Sequence, residues 1–146
     1  MITLEPATTE LDLKDVCNVL STDRDGLNWL AYYADGKAWV NELTRTRKAL
    51  VAYVDGSTAG FIDLEFDGDQ RQVVISYYIT PEFRGKGHAK ELLSSSLSWL
   101  KTNTSARVVF AYANSENTKS IKVLDRANFR YETKRKDMLC FVTVLH

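Results

Sequence analysis

The sequence predicts one α/β domain built on a mixed, mostly antiparallel sheet with helices on its faces. Three observations carry that expectation. Residues 48–79 hold three β-rich runs separated by Asp55-Gly56 and Asp67-Gly68, and Asp-Gly between apolar runs is a strong hairpin signal. After Ile79 the pattern changes to helix, strand, helix, which makes a β-α-β unit and therefore a parallel pair. The chain then closes on two β-rich runs around the charged turn "ETKRKD", read as a solvated hairpin tip. The 146 residues, 45% of them apolar, fit a single domain spanning residues 1–146 with a core of its own.

Each element has a local cause. "ITLEPA" alternates and reads as a first strand. "TTELDLKDVCNVL" starts at a cap, Thr8 or Thr9, and places Leu13, Val16, Val19 and Leu20 at helical spacing. "GLNWLAYYADGKAWVNELTR" is a second helical region with a break expected at Asp35-Gly36. Its aromatics Trp29, Tyr32, Tyr33 and Trp39 pack the core or wall a pocket. Pro81 cannot donate to a ladder, so the fourth strand ends before it. The helix from His88 to Lys101 carries Ala89, Leu92, Leu93, Leu97 and Leu100 on one face. "ARVVFAYA" is the fifth strand, and the next helix is capped near Ser115 or Asn117, with Ile121, Leu124 and Ala127 inward.

Composition narrows the function. Lys plus Arg and Asp plus Glu are 19 each, so the formal net charge is zero. That disfavours long-range attraction to nucleic acid or an anionic membrane. Cys17 and Cys140 stand far apart in apolar contexts, as buried free thiols do. No spacing suits a metal. The start "MITLEPATTE" is acidic and lacks an apolar stretch, so a signal peptide is not expected, and a cytoplasmic location is. No apolar run reaches about 20 residues.

The informative stretch is "ITPEFRGKGHAKELL". A loop with Gly85 and Gly87 leads from a strand into a helix N-terminus, whose unpaired N–H groups carry about half a positive charge. Glycines let such amides converge on a ligand, and Arg84, Lys86 and Lys90 add cations. The guest such a loop suits is a phosphate or pyrophosphate. It is not a Walker A loop, because Gly87 is followed by His88. It is not the dinucleotide fingerprint either, because Lys90 stands where a third glycine is needed. What remains is Arg-x-x-Gly-x-Ala, filled by Arg84, Gly87 and Ala89 after Tyr77-x-Ile79-x-Pro81.

That pattern resembles the pyrophosphate loop of the GCN5-related N-acetyltransferase (GNAT) superfamily. "SENTKSIKVLDRANF" is similar to the family's later motif, Asn-x-x-Ser followed by an apolar helix. The two together are most similar to the branch that includes the bacterial ribosomal-protein N-acetyltransferases. The resemblance covers nearly the whole chain and implies a central sheet splayed between strands four and five, which are expected to diverge after Ile79. It implies acetyl-CoA as the cofactor and direct attack of a primary amine on the thioester. Tyr77, Tyr78 and Ile79 would end strand four at a bulge, pairing the pantetheine arm, with the Ile79 amide stabilising the oxyanion. Gly85, Lys86, Gly87, His88, Ala89 and Lys90 would wrap the pyrophosphate together with Arg84. Asn117 would meet the pantetheine arm or simply cap its helix. Ser120 would donate a proton to the thiolate or position it.

Two departures stand out. Asn128 replaces the usual Gly before Phe129, and asparagine also tolerates a left-handed helix stop. Leu124 stands where some branches place a catalytic tyrosine.

The chemistry needs a neutral amine. An α-amine of pKa near ~8 is roughly 10% neutral at pH 7, whereas a lysine amine is about 4.6 kcal/mol from its neutral form. Candidate bases are Asp63, Glu65 and Tyr112. Asp63 and Glu65 share one face of the third strand, either as solvated outer carboxylates or as bases acting through water. Tyr112 is either a packing aromatic or part of the site. The partner expected is a small-molecule or peptide amine, on a monomer or homodimer, without nucleic acid or membrane. A non-catalytic acyl-CoA sensor on the same fold is the alternative.

Overall fold

The computed structural model describes residues 1–146. Seven strands form one sheet in the order β1-β2-β3-β4-β5-β7-β6. They are β1 Ile2–Ala7, β2 Arg47–Val54, β3 Ser57–Phe66, β4 Gln72–Ile79, β5 Val108–Asn114, β6 Arg130–Arg135 and β7 Met138–Val144. All neighbours are antiparallel except β4 and β5. The helices are α1 Glu10–Ser21, α2 Arg24–Leu30, α3 Gly36–Glu42, α4 His88–Asn103 and α5 Thr118–Arg126. No helix is long and apolar enough to cross a membrane.

Alternation along the strands divides the core into two layers. Ile62 and Leu64 of β3 pack with Val73 and Ile75 of β4 and with Leu92, Leu93, Leu100 and Leu124 of α4 and α5. Phe61 of β3 and Tyr78 of β4 point to the opposite face, where Leu13, Val16 and Leu20 of α1 join Tyr33 and Trp39. Neighbouring strand residues serve opposite layers because successive Cβ atoms alternate across a sheet.

Local signals are read correctly at several ends. Thr9 caps α1 in a reciprocal box with Asp12. Asp55 and Gly56 both have positive φ, 49° and 82°, as a two-residue turn that follows strand twist requires. Asn128 has φ 67° and ends α5 as expected. Cys17 and Cys140 are buried free thiols.

Three expectations are corrected. The second helical region is α2, a 3-10 turn at Ala31–Ala34 and α3, rather than one helix with a single break. The Asp35 side chain accepts from the Ala38 N–H (3.0 Å) and so starts α3 afresh. Asp67-Gly68 is not a two-residue turn. The Asp67 carboxylate accepts from the N–H groups of Arg71 (3.0 Å) and Gln72 (3.2 Å), which closes a longer loop with positive φ at Gln70. The bulge expected in β4 is absent, since β3 and β4 stay in register through Gly60↔Ile79. The close approach falls on the opposite strand: a Cβ at Gly60 would lie 1.9 Å from the Tyr78 carbonyl oxygen, so only glycine fits there.

The splay between β4 and β5 is present, but it opens earlier than at Ile79. Their parallel pairing ends at Ile75↔Ala111. Beyond it β4 continues along β3 to Ile79, while Tyr112–Asn114 of β5 continue along β7. Each strand follows its outer partner, and a gap opens between them.

Candidate active site

The gap exposes backbone. Peptide groups alternate sides along a strand. The Thr80 N–H points to β3 and donates to the Ala59 carbonyl (2.8 Å). The N–H and C=O of Ile79 therefore point the other way, into the gap, where β5 no longer pairs. Arg84 Nε donates to the Ile79 carbonyl oxygen at 3.1 Å. The chain thus satisfies the acceptor of Ile79 and leaves its donor facing the gap, although buried backbone groups are normally paired.

The loop after β4 turns into α4 through Gly85 (φ 75°) and Gly87 (φ 81°). A Cβ at either position would meet nothing within 4 Å. The glycines supply the left-handed backbone, and no protein atom crowds them. Gly87 is the N-cap of α4 and offers no side chain to its first amides. An uncapped N-terminus of a 16-residue helix is an anion site by geometry and dipole.

Across the gap lies the start of α5. The Asn117 side-chain oxygen accepts from the Ser120 N–H at 3.3 Å, so this residue is a cap as well as a wall of the gap. Ser120 Oγ and Tyr77 Oη are 2.7 Å apart and hydrogen-bonded. Burial pushes the Tyr77 hydroxyl up, and the Ser120 bond offsets part of that. Tyr77 therefore keeps its proton at neutral pH and can donate to Ser120, freeing the serine O–H to point outward.

These elements enclose a cleft of about 820 Å³. It is lined by Tyr77, Tyr78, Ile79, Arg84, Gly85, Gly87, His88, Ala89, Lys90, Asn117 and Ser120, with Gly26, Trp29 and Leu30 of α2 as a further wall. Three predicted site residues fall outside it. Lys86 is exposed, its ammonium 5.9 Å from the Phe83 ring centroid. Glu65 is exposed and sits beside Val74, five residues along the strand from the Gly60↔Ile79 pair. Tyr112 is half exposed and pairs with Cys140 of β7, on the side of β5 that has turned away from β4. Both were expected near the reacting atoms; the early splay and the length of β3 carry them away.

Asp63 is corrected differently. It is 2% exposed, not a solvated carboxylate. It accepts from Tyr33 Oη (3.0 Å), Trp39 Nε1 (2.9 Å), Arg47 Nε (3.3 Å) and Arg47 Nη2 (3.3 Å). With its lone pairs occupied, it has no capacity left to act as a base through water. Burial, with Asp63 adjacent, pushes the Tyr33 hydroxyl up to about 12.

Asp23 was missed altogether. It is 8% exposed and precedes α2 as its N-cap. Tyr78 Oη donates to it at 2.7 Å, and Arg84 holds it through Nη1 (3.3 Å) and Nη2. Burial pushes its carboxyl up, but the bonds from Arg84 and Tyr78 outweigh that and hold it below its ordinary value. Three of the five guanidinium N–H donors of Arg84 are thus spent within the protein, on Asp23 and on the Ile79 carbonyl. The one signal for this was Asp23 at the end of a helical pattern, and nothing in the sequence paired it with a residue 61 positions on.

A family model described as "Acetyltransferase (GNAT) domain" matches residues 2–130. The chain belongs to the GNAT acetyltransferase family. No curated protein matches the sequence at a significant level. Among solved structures, this GNAT domain is similar to the aminoglycoside acetyltransferase AAC(6')-Ib in complex with coenzyme A and kanamycin (TM-score 0.82, 15% identity, 99% of this chain and 95% of that one). It is also similar to spermidine N-acetyltransferase from Vibrio cholerae in complex with CoA and spermine (0.81, 17%, 99% and 95%). A third is the Campylobacter jejuni N-acetyltransferase PseH in complex with acetyl coenzyme A (0.78, 15%, 100% and 100%). At these identities the likeness is one of fold.

Proposed function

We propose that this GNAT protein is an N-acetyltransferase that moves the acetyl group of acetyl-CoA to a primary amine by direct attack. The observation that carries the reading is the placement of two kinds of open donor in one cleft. The uncapped amides of α4 suit a pyrophosphate. The unpaired Ile79 amide suits an oxygen on which negative charge develops. Acetyl-CoA supplies the activated acyl group and a thiol to leave. The chain orients it along the edge of β4 beyond Ile75 and presents the Ser120 hydroxyl, backed by Tyr77, to the departing sulfur.

The acceptor we infer is an α-amine or another amine of low pKa. Asp63 is saturated and Glu65 lies outside the cleft. The carboxylates that do line the cleft, Asp25 and Glu116, are exposed and would act at most through water. A lysine acceptor needs about 4.6 kcal/mol to lose its proton at pH 7, an α-amine of pKa ~8 only about 1.4. The resemblance to the ribosomal-protein branch favours an α-amine, and the kanamycin and spermine of the similar structures favour a small amine.

The test is calorimetry with acetyl-CoA, CoA and ATP, followed by thiol release with N-terminal peptides, internal-lysine peptides, spermine and kanamycin. Selective binding of acetyl-CoA and CoA over ATP, with turnover on an α-amine or another amine of low pKa, is expected. Turnover confined to internal lysines, or to spermine, whose primary amines hold their protons about as a lysine does, refutes the acceptor claim. Tight acetyl-CoA binding with no turnover moves the protein to the sensor alternative.

A further inference from the structure

We propose that Arg84 and Asp23 are positioning residues for the Ile79 amide, and that the Arg84 side chain is not a pyrophosphate ligand. This rests on the acetyltransferase reading above for what the amide does, but the geometry is independent of it.

The peptide plane joining Ile79 to Thr80 is tied at both ends. Its N–H, that of Thr80, bonds to Ala59 on β3. Its C=O, that of Ile79, bonds to Arg84 Nε. Beyond Ile75 no β5 ladder is left to hold this stretch, so the Arg84 bond replaces the missing strand on the gap side. The Ile79 N–H lies in the adjoining peptide plane, hinged to this one at the Ile79 Cα, so losing the Arg84 bond loosens the N–H through the φ and ψ of that residue.

Arg84 can do this only while its own plane is fixed. The guanidinium edge away from Ile79 is held by both oxygens of Asp23, in the bidentate geometry that arginine matches and lysine does not. Asp23 is in turn fixed by Tyr78 Oη and by the packing of Gly26. A Cβ on Gly26 would lie 2.8 Å from Asp23 Oδ2, 2.8 Å from Tyr78 Cε1 and 2.7 Å from Leu20 Cδ1. The chain of contacts runs from the α1–α2 corner through Asp23 and Arg84 to the backbone that faces the gap. It also ties α2, one wall of the cleft, to the strand end that carries the open amide.

A phosphate ligand and a positioning residue respond differently to substrate truncation. S-acetylpantetheine lacks the pyrophosphate but reaches the same backbone. Asp23→Asn and Arg84→Lys should each lower kcat with the best amine of the panel by about tenfold or more, and by the same factor with acetyl-CoA and S-acetylpantetheine. CoA affinity by calorimetry should stay within about threefold of wild type, because lost orientation is a kcat effect and not a binding one. The amide NMR resonance of Ile79 should shift in both variants, and Asp23→Glu should restore part of the rate. A tenfold loss of CoA affinity in Arg84→Lys with S-acetylpantetheine turnover intact would overturn the proposal in favour of a phosphate contact. So would unchanged kcat in both variants, or an unmoved Ile79 resonance. If no amine is turned over by the wild type, the acetyltransferase reading fails; the calorimetry and the Ile79 resonance still decide whether Arg84 holds the backbone or a phosphate.

Discussion

The protein buries two carboxylates, Asp23 and Asp63, and uses them differently. Each accepts from a tyrosine hydroxyl and an arginine. Asp63 sits mid-strand, and its fourth donor, Trp39 Nε1, comes from the core. Its network is closed: every donor belongs to the layer that packs α3 and the 3-10 turn onto the sheet. Asp23 sits at a chain corner, and its arginine reaches past it to the carbonyl of Ile79. Its network ends at the gap. The same chemistry fixes a fold when it closes on itself and positions a reactive group when it is left open at one end.

Removing Asp63 is the most severe way to separate the two. Asp63→Ala should cost about 3 kcal/mol or more, because Arg47 and two buried donors lose their partner. A denaturant titration should show the loss, while CoA affinity of the folded fraction should hold. A parallel loss of CoA affinity would mean that the two networks are one. Gly26→Ala comes next, at about 1–3 kcal/mol, because a methyl would press on Asp23, Tyr78 and Leu20 at once. It should also lower turnover, unlike Asp63→Ala corrected for folded protein. Equal specific activity in both variants would dissolve the distinction.

How much of this the sequence disclosed follows from the range of each interaction. The glycines of the loop before α4, the Asp55-Gly56 turn and the Asn117 cap were legible because a residue's own φ or its third neighbour decides them. The sheet followed from turn signals and the β-α-β rule. The carboxylate networks were not legible. Asp63 and Glu65 alternate identically, and only the end of the α3 cover decides that one is buried and the other wet. Arg84 carries a cation beside the glycine loop before α4, and only a contact 61 residues away shows that its charge is already paired. The splay opens at Ile75 rather than Ile79 because β5 turns toward β7, a choice made by strands far apart in sequence.

The smallest effect separates the networks by pH. The Asp23 carboxyl is held below its ordinary value of 3.8. Between its folded pKa and that of the unfolded chain, the unfolded state binds more protons. The stability Asp23 contributes is therefore complete above pH 3.8 and is lost as pH falls through the folded pKa. The Tyr33 hydroxyl beside Asp63 is raised from 10 to about 12. There the folded state binds more protons, so its contribution is complete below pH 10 and is lost as pH rises toward about 12. Between pH 10 and 11 that loss amounts to about 1 kcal/mol. Burial and Asp23 raise the Tyr78 hydroxyl as well, so both networks weaken in alkali, while Asp23 contributes to the acid arm together with Asp12 and Glu91, whose carboxyls are also held below their ordinary values. Urea titrations from pH 2.5 to 11 should show Asp23→Asn flattening part of the acid arm with the alkaline arm kept, and Tyr33→Phe flattening part of the alkaline arm with the acid arm kept. An acid arm unchanged in Asp23→Asn would show that the Arg84 pair adds no stability in the folded protein. The open network would then serve orientation alone.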